Sequence, residues 1–570
     1  MRSMERRSFL RMLGGGIAAT FITTFDAEDA QALASQAPTA LRTDSERIFD
    51  LSVASGDPST TGVVLWTHIR PSAYDAATPI WFQIASDAAF TTLVLEGRLS
   101  RGAGGPERDH TIAVTIDGQL SPGRQYHYRF IYGDTASRVG RCRTLPTGSP
   151  RRVKLGVLSC QDYTNGYYGA LRHLAADDSI DFVVHLGDFI YESVGDPRFQ
   201  DMPFDDRWLL LPSGSTVSLG LDDYRYLYRS YRGDGHLRAL LERHTLIVSH
   251  DDHEIANDCY WDYARDTLGA PDHPYAEDAG ALRRLKREAQ RAWLEYIPSR
   301  AVENPGETHP HAYSRTYRGF EFGDLGRLSM LDTRTYRTPH PCGEGDVFER
   351  YLPIGCSDYA SSEQTLLGNA QKEWLRGRLE ESRAIWNVIG NQTLLSPLKL
   401  GYGSTSLPIN VDAWDGYQAE RSWLTELLSG SDVANAVILT GDMHSYIASQ
   451  VLRSYGNLNP LDVSNIVGTE FMTPSITSSN LFETLLRQLE GASGSLLGGL
   501  SEAAVRLNNP HVKYFNSAQY GYSTVELTRD CCEWAAYAVD KNVDASMAER
   551  QLLARYRKYT WWPWLVEMST

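Results

Sequence analysis

Five times between residues 153 and 444 an apolar, mostly β-branched run stops at a polar group, and that repetition limits the folds open to this chain. Val153 to Leu158 enters Ser159-Cys160-Gln161, Phe182 to Leu186 enters Gly187-Asp188, and Thr245 to Ser249 enters Asp251-Asp252-His253-Glu254. Trp386 to Ile389 then enters Gly390-Asn391-Gln392, and Ala436 to Thr440 enters Gly441-Asp442-Met443-His444. Runs of this kind suit buried strands of an α/β protein. In such sheets ligands gather beyond the carboxyl ends of the strands, so five ends can share one crevice. Ala281 to Tyr296 and Asn369 to Ser382 have apolar residues at helical spacing and read as crossover or covering helices.

The second of these runs continues to Tyr191, three residues past Asp188. Alone it would be a core strand ending in an Asp-capped turn with a packed tyrosine. Beside four other polar strand ends it reads as part of a metal site. Carboxylate and phenolate oxygens suit hard cations, and the pair suits a ferric ion better than zinc or magnesium.

Residues 47–147 follow another pattern, with short alternating strands such as Val63 to His68, Ile80 to Ile84, Thr111 to Ile116 and Tyr126 to Tyr132 between turn signals. They predict a β-sandwich of immunoglobulin or fibronectin type, without a convergent ligand set. Ahead of it, paired Arg6-Arg7, an apolar run from Met12 to Ile22 and Ala30-Gln31-Ala32-Leu33-Ala34 predict a twin-arginine export signal over 1–34 and a linker over 35–46. The domain expected to do the chemistry is 148–570. No other run approaches the ~20 apolar residues of a membrane span, so an integral membrane protein is not expected.

The formal net charge is −16, with 71 acidic and 55 basic residues. That field repels nucleic acid and anionic lipid, yet bound metals reverse the sign locally, so phosphate chemistry stays open. Of seven cysteines, at least one is unpaired or a ligand, and Cys160 is the candidate; Cys342 and Cys356 could form a local disulfide, while Cys531 and Cys532 are not expected to pair with each other. Asp196 to His244 reads as an irregular insertion leading into an amphipathic helix, Leu481 to Leu507 as helical, and Met547 to Tyr559 as a charged helix before a tryptophan-rich end that docks on the surface or serves as a lid. His309, His311 and His340 read as members of solvated loops.

Taken together, Ser159-Cys160-Gln161, His185 to Glu192, Asp251 to Glu254 with Asn257-Asp258, Leu331-Asp332-Thr333-Arg334, Gly390-Asn391-Gln392 and Gly441-Asp442-Met443-His444 resemble the alkaline phosphatase D (PhoD-like) family over nearly the whole chain. That family is related to purple acid phosphatases and to some calcium-dependent phospholipases D. The resemblance implies a four-layer α/β metallophosphatase fold, two packed mixed sheets flanked by helices, behind the N-terminal sandwich. It implies Fe3+ on Cys160, Asp188 and Tyr191, with Ca2+ close by and Asp188 bridging towards it. Asp442 and His444 look like ligands of the second metal position, with Asp252 and Asn257 as further candidates. His250 stands where the family usually has an aromatic residue.

Within that resemblance His253 reads as a donor to the leaving oxygen and Asn391 as a contact to phosphate or metal. Asp332 and Arg334 would orient the site, bind phosphate or form an internal salt bridge. Metals would polarise the phosphoryl group and lower the pKa of a bound water, so that a metal-bound hydroxide attacks phosphorus of a mono- or diester. No Gly-x-Ser-x-Gly elbow suggests a serine nucleophile. The expected partners are small phosphate esters, phospholipid or other phosphodiesters, and the twin-arginine export machinery. The rival readings are a phospholipase D-like diesterase and a non-catalytic exported binding protein with structural metals.

Overall fold

The structure is a computed structural model that describes residues 22–25, 37–197, 200, 202–345, 350–400, 406–456, 459, 462–480, 483 and 502–570. Most of the expected signal, and most of the helix expected over 481–507, lie outside them; within that stretch Glu502–Asn508 is helical. No helix among the described residues is long and apolar enough to cross a membrane.

All five polar-ended runs are strands, and two sheets share them. Arg152–Leu158, Phe182–His185 and Thr245–Val248 lie parallel in an eleven-stranded sheet. Gly326–Met330, Trp386–Gly390, Ala436–Thr440 and Ile466–Met472 lie parallel in a seven-stranded sheet. The two sheets bury a common apolar layer in which Leu155, Val184 and Ile247 meet Leu328, Val388 and Leu439. Helices cover the outer faces: Leu171, Leu240 and Leu285 pack with Val183 and Leu246 on one side, and Leu375 and Leu424 with Ile389 and Ile438 on the other. The expected helices run Ala279–Tyr296 and Gly368–Glu380. The insertion leads into two helices, Leu221–Arg232 and Gly235–Arg243.

The boundary drawn at 147 does not separate two sheets. Strand Val53–Gly56 pairs in parallel with Thr245–Val248, so the first strands of the N-terminal unit extend the eleven-stranded sheet. Only its other layer, Ile80–Ala85, Leu93–Arg98, Gln125–Tyr132, Thr135–Ala136 and Gly140–Arg143, is a separate antiparallel sheet. Leu65, Ile84, Val114 and Phe130 fill the space between. Gly56 is needed at this junction, because a Cβ there would collide with the Pro298 carbonyl. Asp57 follows it, buried, and accepts both Arg318 Nε (2.6 Å) and Arg318 Nη2 (2.8 Å) as well as the Arg300 backbone N–H (2.6 Å).

Two expectations need correction. The charged stretch before the C-terminus is not a helix: Arg550–Tyr559 is a strand paired with Cys531–Val539. Its side chains alternate, with Arg555 and Arg557 turned to Glu533 while Ala554, Tyr556 and Lys558 are buried, the period of two of a strand. His340 is not in a solvated loop but buried between Asp412 and Glu344. Cys342 and Cys356 are bonded, whereas Cys160, Cys531 and Cys532 are free thiols. Trp561 and Trp562 are exposed, with the Trp562 carbonyl accepting from Lys558.

Breaking a buried ion pair strands its partner in the interior. Asp57→Asn should therefore lower unfolding free energy by about 3 kcal/mol, read from urea denaturation; a loss within ~0.5 kcal/mol, as for an ordinary surface substitution, would show that the Arg318 contact does not hold the junction.

Candidate metal and catalytic site

Beyond the carboxyl ends of both sets of parallel strands lies a cavity of about 70 Å³. Asp162, Asp188, Tyr191, Asp252, His253, Asn257, Asp258, Tyr351, Asp442, His444, Ser478 and Ser479 line it. Gly187 makes the approach possible, since φ is +118° and a Cβ there would run into Asp251. Five neighbouring non-glycine residues, Cys160, Asp188, Asp258, Asp442 and His444, also sit at positive φ, between 53° and 63°. Strain of this sort persists where surrounding bonds over-determine it, and it concentrates at functional sites. The bonds are visible here. Cys160 N–H donates to the Gly187 carbonyl, the Cys160 carbonyl accepts from Ile476, and the Glu254 carboxylate accepts the N–H groups of Asp188, Phe189 and Asp251.

Of the candidate site residues singled out in the sequence, all but Asn391 come together. One ligand atom each from Cys160, Asp188 and His444 lies within 4.8 Å of the others, and so do atoms of Asp188, Asp252 and His253, and of Asp251, Asp252 and Asp442. Tyr191 joins the first set, its hydroxyl 3.1 Å from Asp188 Oδ2 and 3.4 Å from His444 Nε2. Asn257 lies beside Asp252 and Asp258 on the cavity wall. His444 thus sits on the Cys160 side, while Asp442 faces Asp252. Asn391 is elsewhere: its amide donates to the Thr393 carbonyl, accepts from the Trp414 indole and does not line the cavity. His250 points to Thr335 and Trp293.

Burial sets the electrostatics. It pushes the Cys160 thiol and the Tyr191 phenol well up, in each case aided by Asp188. It also raises Asp188 well above the carboxylate range, with Asp252 and Asp251 adding to it against His253. His253 goes the other way: burial disfavours its cation, but Glu192, whose Oε2 is 2.7 Å from Nδ1, and then Asp252 and Asp188 hold it well above the ordinary imidazole value. Burial lowers His444 to about 4. With Nδ1 bound to the Ser479 carbonyl, its Nε2 is the basic nitrogen facing Tyr191.

The donor set around Asp188 fits a metal ion. Asp188 Oδ1 is buried with no hydrogen-bond partner, and the adjacent thiol, phenol and neutral imidazole have no cation among them. Three anionic ligands would suit a trivalent ion. The Asp251, Asp252 and Asp442 set differs, because Arg334 is already inside it. That guanidinium is buried, 2.5 Å from Asp251, 2.6 Å from Asp442, 2.8 Å from Asp412 and 3.6 Å from Asp252. Of the roles open to Arg334, the internal salt bridge is the one present.

Sequence reasoning missed Asp162, Tyr351, Ser478 and Ser479 as cavity residues, and Glu192 as the partner of His253. Glu192 had a signal, one position beyond Tyr191, whereas Tyr351 had none. A larger hollow of about 450 Å³ adjoins the cavity and shares Asn257; Glu192, Val217, Ala256 and His273 are among its walls.

Residues 155–536 match the family model described as PhoD-like phosphatase, and residues 34–146 match its N-terminal domain. The chain is 32% identical over 489 residues to alkaline phosphatase D of Bacillus subtilis strain 168, covering 84% of this chain and 76% of that protein. A solved structure of PhoD superposes with a TM-score of 0.75 at 27% identity, covering 93% of this chain and 94% of that one.

A histidine whose folded pKa is lowered is neutral in the native state and charged once unfolded below pH 6.5. Its stabilising contribution is therefore present above 6.5 and lost as pH falls towards about 4. For chelator-treated protein, His444→Gln should remove about 2 kcal/mol of the stability loss between pH 7 and pH 5. Urea unfolding at the two pH values reads this, and an equal loss in both proteins would refute a buried neutral imidazole.

Proposed function

Because the chain belongs to the PhoD-like phosphatase family and is a phosphoric ester hydrolase, we propose that it is an exported, metal-dependent phosphodiesterase and phosphatase with unlike metals sharing Asp188. The observation that carries this reading is Asp188 itself, within 4.8 Å of two different ligand sets and with one buried oxygen left over. Cys160, Asp188 and Tyr191 would hold Fe3+, with His444 beside them. Asp188, Asp252, Asn257 and Asp442 would hold Ca2+. When bound, the ions supply Lewis acidity, neutralise phosphoryl charge and acidify water. The twin-arginine signal over 1–34, the sandwich reading of the N-terminal unit and the four-layer reading of the remainder belong to the same proposal.

The chain's own groups have separable tasks. His253 is kept as a cation by Glu192 through Nδ1, which leaves Nε2 to give a proton to the departing oxygen. Tyr191 packs against that ring at a tilt, centroids 4.1 Å apart, and limits its rotation. Ser478, which also lines the cavity, donates to the Cys160 carbonyl and fixes the backbone that presents the thiol. Arg334 pairs with Asp442 and helps to hold Asp252 below the carboxylate range, without occupying the Cys160 side. The small cavity suits the phosphoryl group and the adjoining hollow a second ester substituent, which favours diesters. A phospholipid would have to place its head group in that same hollow.

Elemental analysis of protein from a native host should find iron and calcium, with a visible tyrosinate-to-iron band that Tyr191→Phe abolishes. Asp188→Asn should lower kcat/KM by roughly three orders of magnitude, about 4 kcal/mol, with the fold retained. A bis-aryl phosphate should turn over faster than a mono-aryl phosphate or a phospholipid. Hydrolysis undiminished in Asp188→Asn would overturn the metal reading.

A further inference from the structure

The loop closed by Cys342 and Cys356, at a sequence separation of 14, touches the site at both ends. At its base, His340 is shared between Glu344 (2.7 Å) and Asp412 (2.7 Å), and Asp412 holds Arg334. Towards its far end, Arg350 and Tyr351 converge on one carboxylate: Arg350 Nη1 is 2.9 Å from Asp258 Oδ2, and the Tyr351 hydroxyl donates to Asp258 Oδ1 at 2.7 Å. The Tyr351 carbonyl is anchored by the Val411 N–H. Burial keeps the phenol protonated, hence a donor.

Asp258 also accepts Asn257 Nδ2 at 3.0 Å, while its backbone N–H donates to Asp252 Oδ2 at 2.6 Å. An amide has one donor end and one acceptor end. With Nδ2 committed to Asp258, Oδ1 is the end that Asn257 offers to the cavity it lines.

We propose that Arg350 and Tyr351, presented by the Cys342–Cys356 loop, are positioning residues that act through Asp258 to hold the Asn257 amide oxygen towards a divalent cation, and that the disulfide keeps them in place. The inference rests on the hydrolase reading and adds residues whose effect passes through Asp258 and Asn257. Outer partners of a metal ligand are typically worth 10–100-fold in affinity or activity.

The test uses the full chain with Tyr351→Phe, the pair Cys342→Ser with Cys356→Ser, and their combination. A reductant would also reduce a ferric ion, so the bond is removed by substitution. Two quantities are read: kcat/KM on a bis-aryl phosphate, and the dissociation constant for calcium returned to chelator-treated protein, by titration calorimetry. Each variant should lose roughly tenfold in both, with iron content and circular dichroism unchanged, and the combination should be no worse than either alone. Unchanged calcium affinity in Tyr351→Phe, or losses that multiply in the combination, would overturn the proposal. Should the serine pair fail to fold, Asp258→Asn takes its place in the cycle with the same expectations. Wild-type protein that binds calcium yet hydrolyses nothing would refute the hydrolase reading instead, and the calcium titrations would still decide this one.

Discussion

One guanidinium, that of Arg334, lets this molecule gather acid groups in its interior. Removing a carboxylate from water costs several kcal/mol unless a partner travels with it. Asp251, Asp412 and Asp442 close on Arg334 from different chain segments, with Asp252 slightly farther off. Asp251 follows a strand of the eleven-stranded sheet, whereas Asp442 and Arg334 itself follow strands of the seven-stranded one. The same ion pairs therefore tie the two sheets together at the rim where chemistry is done. Compensation is uneven by construction: the Asp252 and Asp442 side has the Arg334 guanidinium inside it, whereas Asp188 has only the His253 imidazolium, which it shares with Glu192 and Asp252.

That asymmetry gives the two halves of the cavity different electrostatics. On the Cys160 side, thiol, phenol and carboxyl groups are all driven towards their neutral forms by burial, so the energy of ionising them must come from a metal. On the other side Arg334 and His253 hold Asp252 below the carboxylate range against its burial, while burial still raises Asp442 and Asp251. An overall charge of −16 is then no obstacle to anionic substrates, since the local field at the rim is set by a few buried groups.

The parallel strands and most of the ligand set were legible because a buried strand announces itself by composition and its carboxyl end by an abrupt polar residue. Residues delivered by irregular segments were not. Where Tyr351 and Ser478 end up depends on long-range packing, and Asn391, although at a strand end, turns its amide into local bonds with Thr393 and Trp414. The strand Arg550–Tyr559 was misread because its charged and apolar positions satisfy both periodicities over so short a stretch, and only pairing with Cys531–Val539 decides between them. The continuity of the eleven-stranded sheet was invisible for a related reason, since β-pairing partners far apart in sequence leave no local trace.

That continuity also dictates an order of events during synthesis. Ser55 meets Thr245 across 190 residues, and Arg152–Leu158 receives its other neighbour, Gly521–Thr528, only near the end of the chain. At ~5–20 residues per second, the first strands wait roughly ten to forty seconds on the ribosome with an open edge, and the central strand waits longer still. Folding of this chain is thus a task for the finished polypeptide, and whatever guards those edges in the interval is as much a condition of the active site as any of its ligands.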